Sequence, residues 1–161
     1  MSGTPAHILI IDDEEIIREA LHALLTRDGC VVKSAATATE GLAMLEDEEF
    51  DTVLLDLMLP DRNGLDVLEE IRRADEDLPV VMITAFGTID TAVRATKQGA
   101  FHYFTKPFKN DEVLVVLRNA IERRRLQREN LELRNRLKSG SHRFDQIIGG
   151  SARMKAVYDL I

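Results

Sequence analysis

The chain has 161 residues, 45% hydrophobic and 30% charged, which suits one domain with a real core and a further piece. There is no apolar run of membrane-spanning length, the start Met1-Ser2-Gly3-Thr4-Pro5-Ala6-His7 lacks the basic region and apolar core of a signal peptide, and Cys30 is the only cysteine. These features argue against a membrane span, a secreted form and a disulfide framework, and a cytoplasmic setting is expected. The net charge of −7 conceals an asymmetry: residues 1–117 carry −13, residues 118–138 carry +5 and residues 139–161 carry +1. An acidic body does not suit DNA binding by itself, but it suits a divalent-cation site.

His7-Ile8-Leu9-Ile10-Ile11 reads as a first strand, with Asp12-Asp13-Glu14-Glu15 directly after it. Apolar residues then recur at Ile16, Ile17, Ala20, Leu21, Leu24 and Leu25, a helical spacing. The acids fall at the helix N-terminus, where negative charge is favoured. Asp28-Gly29 is a turn, Cys30 to Ala35 a second strand, and Ala38, Leu42, Ala43 and Leu45 mark a second helix. The run Val53-Leu54-Leu55-Asp56-Leu57-Met58-Leu59, closed by Pro60, reads as a buried parallel strand. A carboxylate is rarely held deep among apolar groups unless paired or bound to a cation, so Asp56 belongs at the strand's end, beside a cleft. After Pro60-Asp61-Arg62-Asn63-Gly64, a third helix carries Leu65, Val67, Leu68 and Ile71. Pro79 to Thr84 is a fourth strand, Ala85-Phe86-Gly87 a loop, and Ile89 to Lys97 a fourth helix closed by Gly99. Phe101 to Thr105 is a fifth strand, followed by Lys106-Pro107-Phe108 and a helix from Asn110 or Asp111. Five strands alternating with five helices predict an α/β fold, a parallel sheet wound on both faces.

The fifth helix is expected to run beyond the domain body, since no Gly or Pro interrupts it before Gly140. Val113, Leu114, Leu117 and Ile121 form one stripe that should pack on the sheet. Leu126, Asn130, Leu133 and Leu137 are spaced as a coiled-coil seam with one polar position. Lys138-Ser139-Gly140-Ser141-His142 reads as a linker, and residues 143–161 resume an apolar rhythm. Arg123-Arg124-Arg125 reads as a solvated helix face rather than a nucleic-acid contact.

Each polar candidate follows an apolar strand: Asp12 and Asp13 the first, Asp56 the third, Thr84 the fourth and Lys106 the fifth. In a right-handed parallel α/β sheet these ends share one edge. Three adjacent carboxylates repel unless a cation joins them, and Mg²⁺ is the natural candidate because it takes oxygen ligands and bridges carboxylate to phosphate. An ammonium and a hydroxyl opposite would hold phosphoryl oxygens. The pattern suits a phosphoryl group held on an aspartate.

Asp12-Asp13, Asp56, Thr84-Ala85, Tyr103 and Lys106-Pro107-Phe108 together resemble the receiver domain of bacterial two-component response regulators, over about residues 6–125. The resemblance implies a flavodoxin-like sheet of order 2-1-3-4-5 with an extended C-terminal helix. It implies Asp56 as phosphoacceptor for a sensor histidine kinase. Mg²⁺ would be bound by Asp12, Asp13, Asp56 and the backbone carbonyl of Met58. Thr84, Ala85 and Lys106 would bind the phosphoryl group, Thr84 and Tyr103 would form a switch, and Pro107 would follow a cis bond. Phe144 to Ser151 and Met154-Lys155-Ala156-Val157 resemble the opening of the AAA+ ATPase domain of NtrC-type activators, which act on sigma-54 RNA polymerase at DNA. On this reading residues 1–123 are a receiver, 124–142 a coiled-coil helix and linker that forms a homodimer, and 143–161 the start of an incomplete ATPase domain without a DNA-binding element.

Three other readings fit less well. An aspartyl-phosphate hydrolase of the haloacid dehalogenase type wants a second Asp two positions after the nucleophile, where this chain has Met58. A nucleotide-binding domain needs a Gly-rich loop after the first strand, where this chain has four acids. A receiver used only for oligomerisation would not need the complete acid, Thr and Lys set.

Overall fold

The computed structural model describes residues 4–148. The elements follow as β1 (His7–Ile11), α1 (Glu15–Arg27), β2 (Val31–Ala35), α2 (Ala38–Asp47), β3 (Thr52–Asp56), α3 (Gly64–Ala74), β4 (Val80–Thr84), α4 (Ile89–Lys97), β5 (His102–Thr105) and α5 (Asn110–Ile148). The five strands form one parallel sheet in the order β2-β1-β3-β4-β5. The expected fold class and strand order are both present. The chain divides into two compact units, Met1–Arg124 and Arg125–Ile161.

In the first unit the sheet has apolar residues on both faces because helices cover both. Side chains alternate along a strand, so Leu9, Ile11, Val53, Leu55, Val80 and Met82 join Leu65, Leu68 and Ile71 of α3 and Ala95 of α4 in one buried layer. Ile8, Ile10, Leu54, Val81 and Ile83 join Leu21 and Leu25 of α1 and Val113, Leu117 and Ile121 of α5 in the other. The outer strands differ: β2 is largely accessible except at Ala35, and only Phe104 of β5 is buried. The crossovers are short and firmly ended. Gly29 (φ 91°) and Gly99 (φ 96°) follow α1 and α4 in the left-handed conformation that terminates helices and that only Gly adopts freely. Thr37, Asn63 and Thr88 cap α2, α3 and α4 with side-chain oxygens.

Arg124 departs from its expected place on a solvated face. It is buried, and its guanidinium donates to both carboxylate oxygens of Asp75 at 3.1 and 2.6 Å.

In the second unit α5 continues as helix across residues 138–142, where a linker was expected, to Ile148. One glycine costs a helix only about 1 kcal/mol, and no proline is present to break it. Leu126, Leu131 and Leu133 are exposed, as is Asn130, and Leu137 is half-buried. Of the expected ATPase opening at 143–161, residues 143–148 continue α5 and residues 149–161 lie outside the described residues.

Candidate functional site

The register of the sheet assembles the site. β3 pairs with β1 and β4 so that Asp56 stands opposite Ile83, one residue before Thr84, and Ile11 stands opposite Leu55, one residue before Asp56. Thr84 in turn pairs with Thr105, immediately before Lys106. Asp12, Asp56, Thr84 and Lys106 therefore reach one edge from four neighbouring strands, as the right-handed crossover rule anticipates. Asp12, Asp56 and Thr84 are buried and Asp13 is exposed. One carboxylate oxygen from each of Asp12, Asp13 and Asp56 lies within 4.8 Å of the others.

Lys106 is the cation of this cluster. Its Nζ stands 2.7 Å from Glu14 Oε1, 2.9 Å from Asp12 Oδ2 and 3.2 Å from Asp56 Oδ2. The approach to Asp12 is close but off-axis, and Asp12 Oδ2 is buried without a hydrogen bond. Asp12 Oδ1 accepts from the Glu14 amide at 2.8 Å, and Arg18 donates to the Asp12 carbonyl at 2.7 Å. Asp56 Oδ1 accepts from the Met58 amide at 3.1 Å. The Thr84 hydroxyl oxygen accepts from the Phe86 amide at 3.1 Å, and the Thr84 carbonyl accepts from the Lys106 amide at 2.7 Å.

The electrostatics follow from this sharing. Burial first, and then the charge of Asp12, push the Asp56 carboxyl up to about 6, against the pull of the Met58 amide and Lys106. Burial would lower Lys106, but the Asp12 and Glu14 carboxylates outweigh it and hold the ammonium above its usual range. One ammonium divided among three carboxylates is fully charged and still leaves Asp56 short of positive charge.

The three aspartates fit a hard divalent cation. They offer oxygen donors only, and the buried Asp12 Oδ2, which meets Lys106 as an ion pair at 2.9 Å but makes no hydrogen bond, retains lone pairs for a cation. Ala85 and the side chain of Met58 are exposed. Tyr103 is half-buried, and its hydroxyl lies 2.9 Å from Thr91 Oγ1. The Lys106–Pro107 bond is cis. Leu126, Asn130, Leu133 and Leu137 lie in the second unit, on α5.

Two participants were not singled out by sequence reasoning. Glu14 was read only as a helix-terminal acid, yet it makes the shortest contact to Lys106. Asp61 was read only as part of a turn, yet its carboxylate accepts from the Ala38 and Thr39 amides, both at 2.9 Å, and from Thr39 Oγ1 at 2.7 Å. Both contacts join residues far apart in sequence, and no local pattern marks them.

Comparison with known proteins agrees with this geometry. The response regulator receiver domain family matches residues 8–118. A putative response regulator, NtrX-like, from Rickettsia bellii is 40% identical over 132 residues, covering 81% of this chain and 28% of that protein. The DNA-binding transcriptional regulator NtrC of Proteus hauseri is 36% identical over 155 residues, covering 96% and 32%. The solution structure of the beryllofluoride-activated NtrC4 receiver domain dimer superposes with a TM-score of 0.71 at 33% identity, covering 73% of this chain and 98% of that one. The chain thus spans about a third or less of the length of these curated relatives. It belongs to the response regulator receiver domain family, in its NtrC-type branch.

Proposed function

We propose that the chain takes a phosphoryl group from a sensor histidine kinase onto Asp56 and uses it to control an attached transcription-activating ATPase. The observation that carries this reading is the convergence of Asp12, Asp13, Asp56, Thr84 and Lys106 on one edge of the sheet. An Asp56 carboxylate oxygen forms a bond to phosphorus as the P–N bond of a phosphohistidine breaks, and the electron pair leaves with the imidazole, which takes up a proton. Asp12, Asp13, Asp56 and the Met58 carbonyl would hold Mg²⁺, which supplies positive charge to the phosphoryl oxygens. Lys106, the Thr84 hydroxyl and the Ala85 amide hold the remaining oxygens.

To do so Lys106 must change partners and Thr84 must gain one. Lys106 exchanges carboxylates for phosphoryl oxygen, and the Thr84 hydroxyl, whose oxygen accepts from the Phe86 amide, turns its own O–H to donate to a phosphoryl oxygen. Thr84 and Tyr103 together form the switch in this reading, with Tyr103 leaving Thr91 as Thr84 moves. The switch reports to α5 because only four residues separate β5 from α5. Leu126, Asn130, Leu133 and Leu137 form the seam of a homodimer. The full-length protein would engage sigma-54 RNA polymerase and DNA in the cytoplasm. Among the described residues, no helix is long and apolar enough to cross a membrane.

The test is loading. Acetyl phosphate with Mg²⁺ should add one phosphoryl group to the chain, detected by intact mass, and none to Asp56→Asn. Equal labelling of the variant would overturn the assignment, and so would undiminished loading in excess chelator.

A further inference from the structure

Asp61 stands in the loop of residues 57–63 between β3 and α3, and its carboxylate takes three hydrogen bonds from the first turn of α2. That helix already has its own cap: Thr37 Oγ1 accepts from the Glu40 amide at 3.2 Å. Asp61 instead meets the Ala38 and Thr39 amides, which Thr37 leaves free. These donors sit at the positive end of the helix, where a carboxylate is favoured. The bonds hold the carboxyl down at about 2, so Asp61 stays charged throughout the neutral range.

The rest of the loop is tied at its base. Met58 bridges Asn63 in antiparallel fashion, the Gly64 amide donates to the Leu57 carbonyl at 2.7 Å, and the Met58 amide donates to Asp56 Oδ1. The tip, Leu59-Pro60-Asp61-Arg62, has two other side-chain contacts among the described residues: Leu59 packs against the core layer beneath it, and Arg62 pairs with Glu70 of α3 at the surface at 3.2 Å. Asp61 is the residue of the tip that hydrogen-bonds it to α2, across the loop from its own helix α3.

We propose that Asp61 is a positioning residue for the metal site: docking the tip on α2 fixes the backbone path at Met58, whose carbonyl belongs to the metal set. This inference rests on the Mg²⁺ reading above. Groups that hold a ligand in place typically matter 10–100-fold for metal affinity.

The test measures Mg²⁺ affinity directly, by calorimetric titration of the full chain, together with amide exchange across residues 57–63. Asp61→Ala should weaken Mg²⁺ binding about tenfold and speed exchange in that loop. Asp61→Asn, which keeps one acceptor oxygen, should fall between it and wild type. Thr37→Ala removes a cap from the same helix without touching the loop, so it should lower thermal stability and leave Mg²⁺ affinity unchanged. Wild-type affinity in both Asp61 variants would overturn the proposal, as would an equal loss in Thr37→Ala. Asp13→Asn separates the two levels. If it loses Mg²⁺ while both Asp61 variants keep it, positioning alone fails. If it binds as wild type does, the metal reading fails and the proposal falls with it.

Discussion

At pH 7.5 without divalent cations, Asp56→Asn should make the chain more stable while removing its proposed phosphoacceptor. Burial and the Asp12 charge raise the Asp56 carboxyl from its ordinary 3.8 to about 6. The sign follows from linkage. A group whose pKa is raised in the folded state contributes stability that is present below about 3.8 and lost as pH rises through about 6. A rise of that size corresponds to about 3 kcal/mol, with the attraction of Lys106 already included. The amide has the same shape and no charge to lose. The variant should therefore gain up to about 3 kcal/mol at pH 7.5, or about 10 °C in Tm for a domain of this size. The gain should shrink through pH 6 and 5 and vanish near pH 4. Urea unfolding of both chains at these pH values in EDTA measures it. Added Mg²⁺ should narrow the gap at pH 7.5, because an ion bound by the folded state stabilises it and wild type offers the better site. Equal stabilities at pH 7.5, or a difference independent of pH, would refute the idea that Asp56 is held in an unfavourable charged state.

Gly64→Ala should destabilise by about 2–4 kcal/mol and impair loading, because an added Cβ would meet the Asp56 carbonyl oxygen at 2.4 Å and the Leu57 Cα at 2.6 Å. Urea unfolding and acetyl phosphate labelling check both effects. Arg124→Ala should cost about 2 kcal/mol by leaving Asp75 without its two charged hydrogen bonds, and wild-type stability in this variant would show the pair to be idle. A chain ended after Arg125 keeps that pair and removes Leu126, Asn130, Leu133 and Leu137. Sedimentation should show loss of the dimer, and equal self-association of both chains would assign assembly to the first unit.

Most of the scaffold was legible because its signals are local. Five short apolar runs separated by helical spacings allow few arrangements, and right-handed crossovers then place Asp12, Asp56, Thr84 and Lys106 on one edge. What was illegible depends on contacts between distant residues. Arg124 is one of three adjacent arginines, and only its position on the helix, facing Asp75, takes it out of water. Glu14 follows Asp13 in sequence, but its partner is 92 residues away. The segment 138–142 carries turn-forming residues, and a helix already running through it tolerates them. The expected cis bond at Pro107 is found.

The edges of the sheet bear on how the protein behaves at high concentration. Unpaired strand edges invite pairing with another chain, and short or charged outer strands discourage it. Here the outer strands are β2, five residues with Lys33 exposed on it and paired to Glu48, and β5, four residues long. The longest uninterrupted apolar stretches, in β1, β3 and β4, are flanked on both sides. A folded chain should therefore stay in solution without forming ribbons of sheet, and strand-mediated aggregates should arise only from molecules that have first opened.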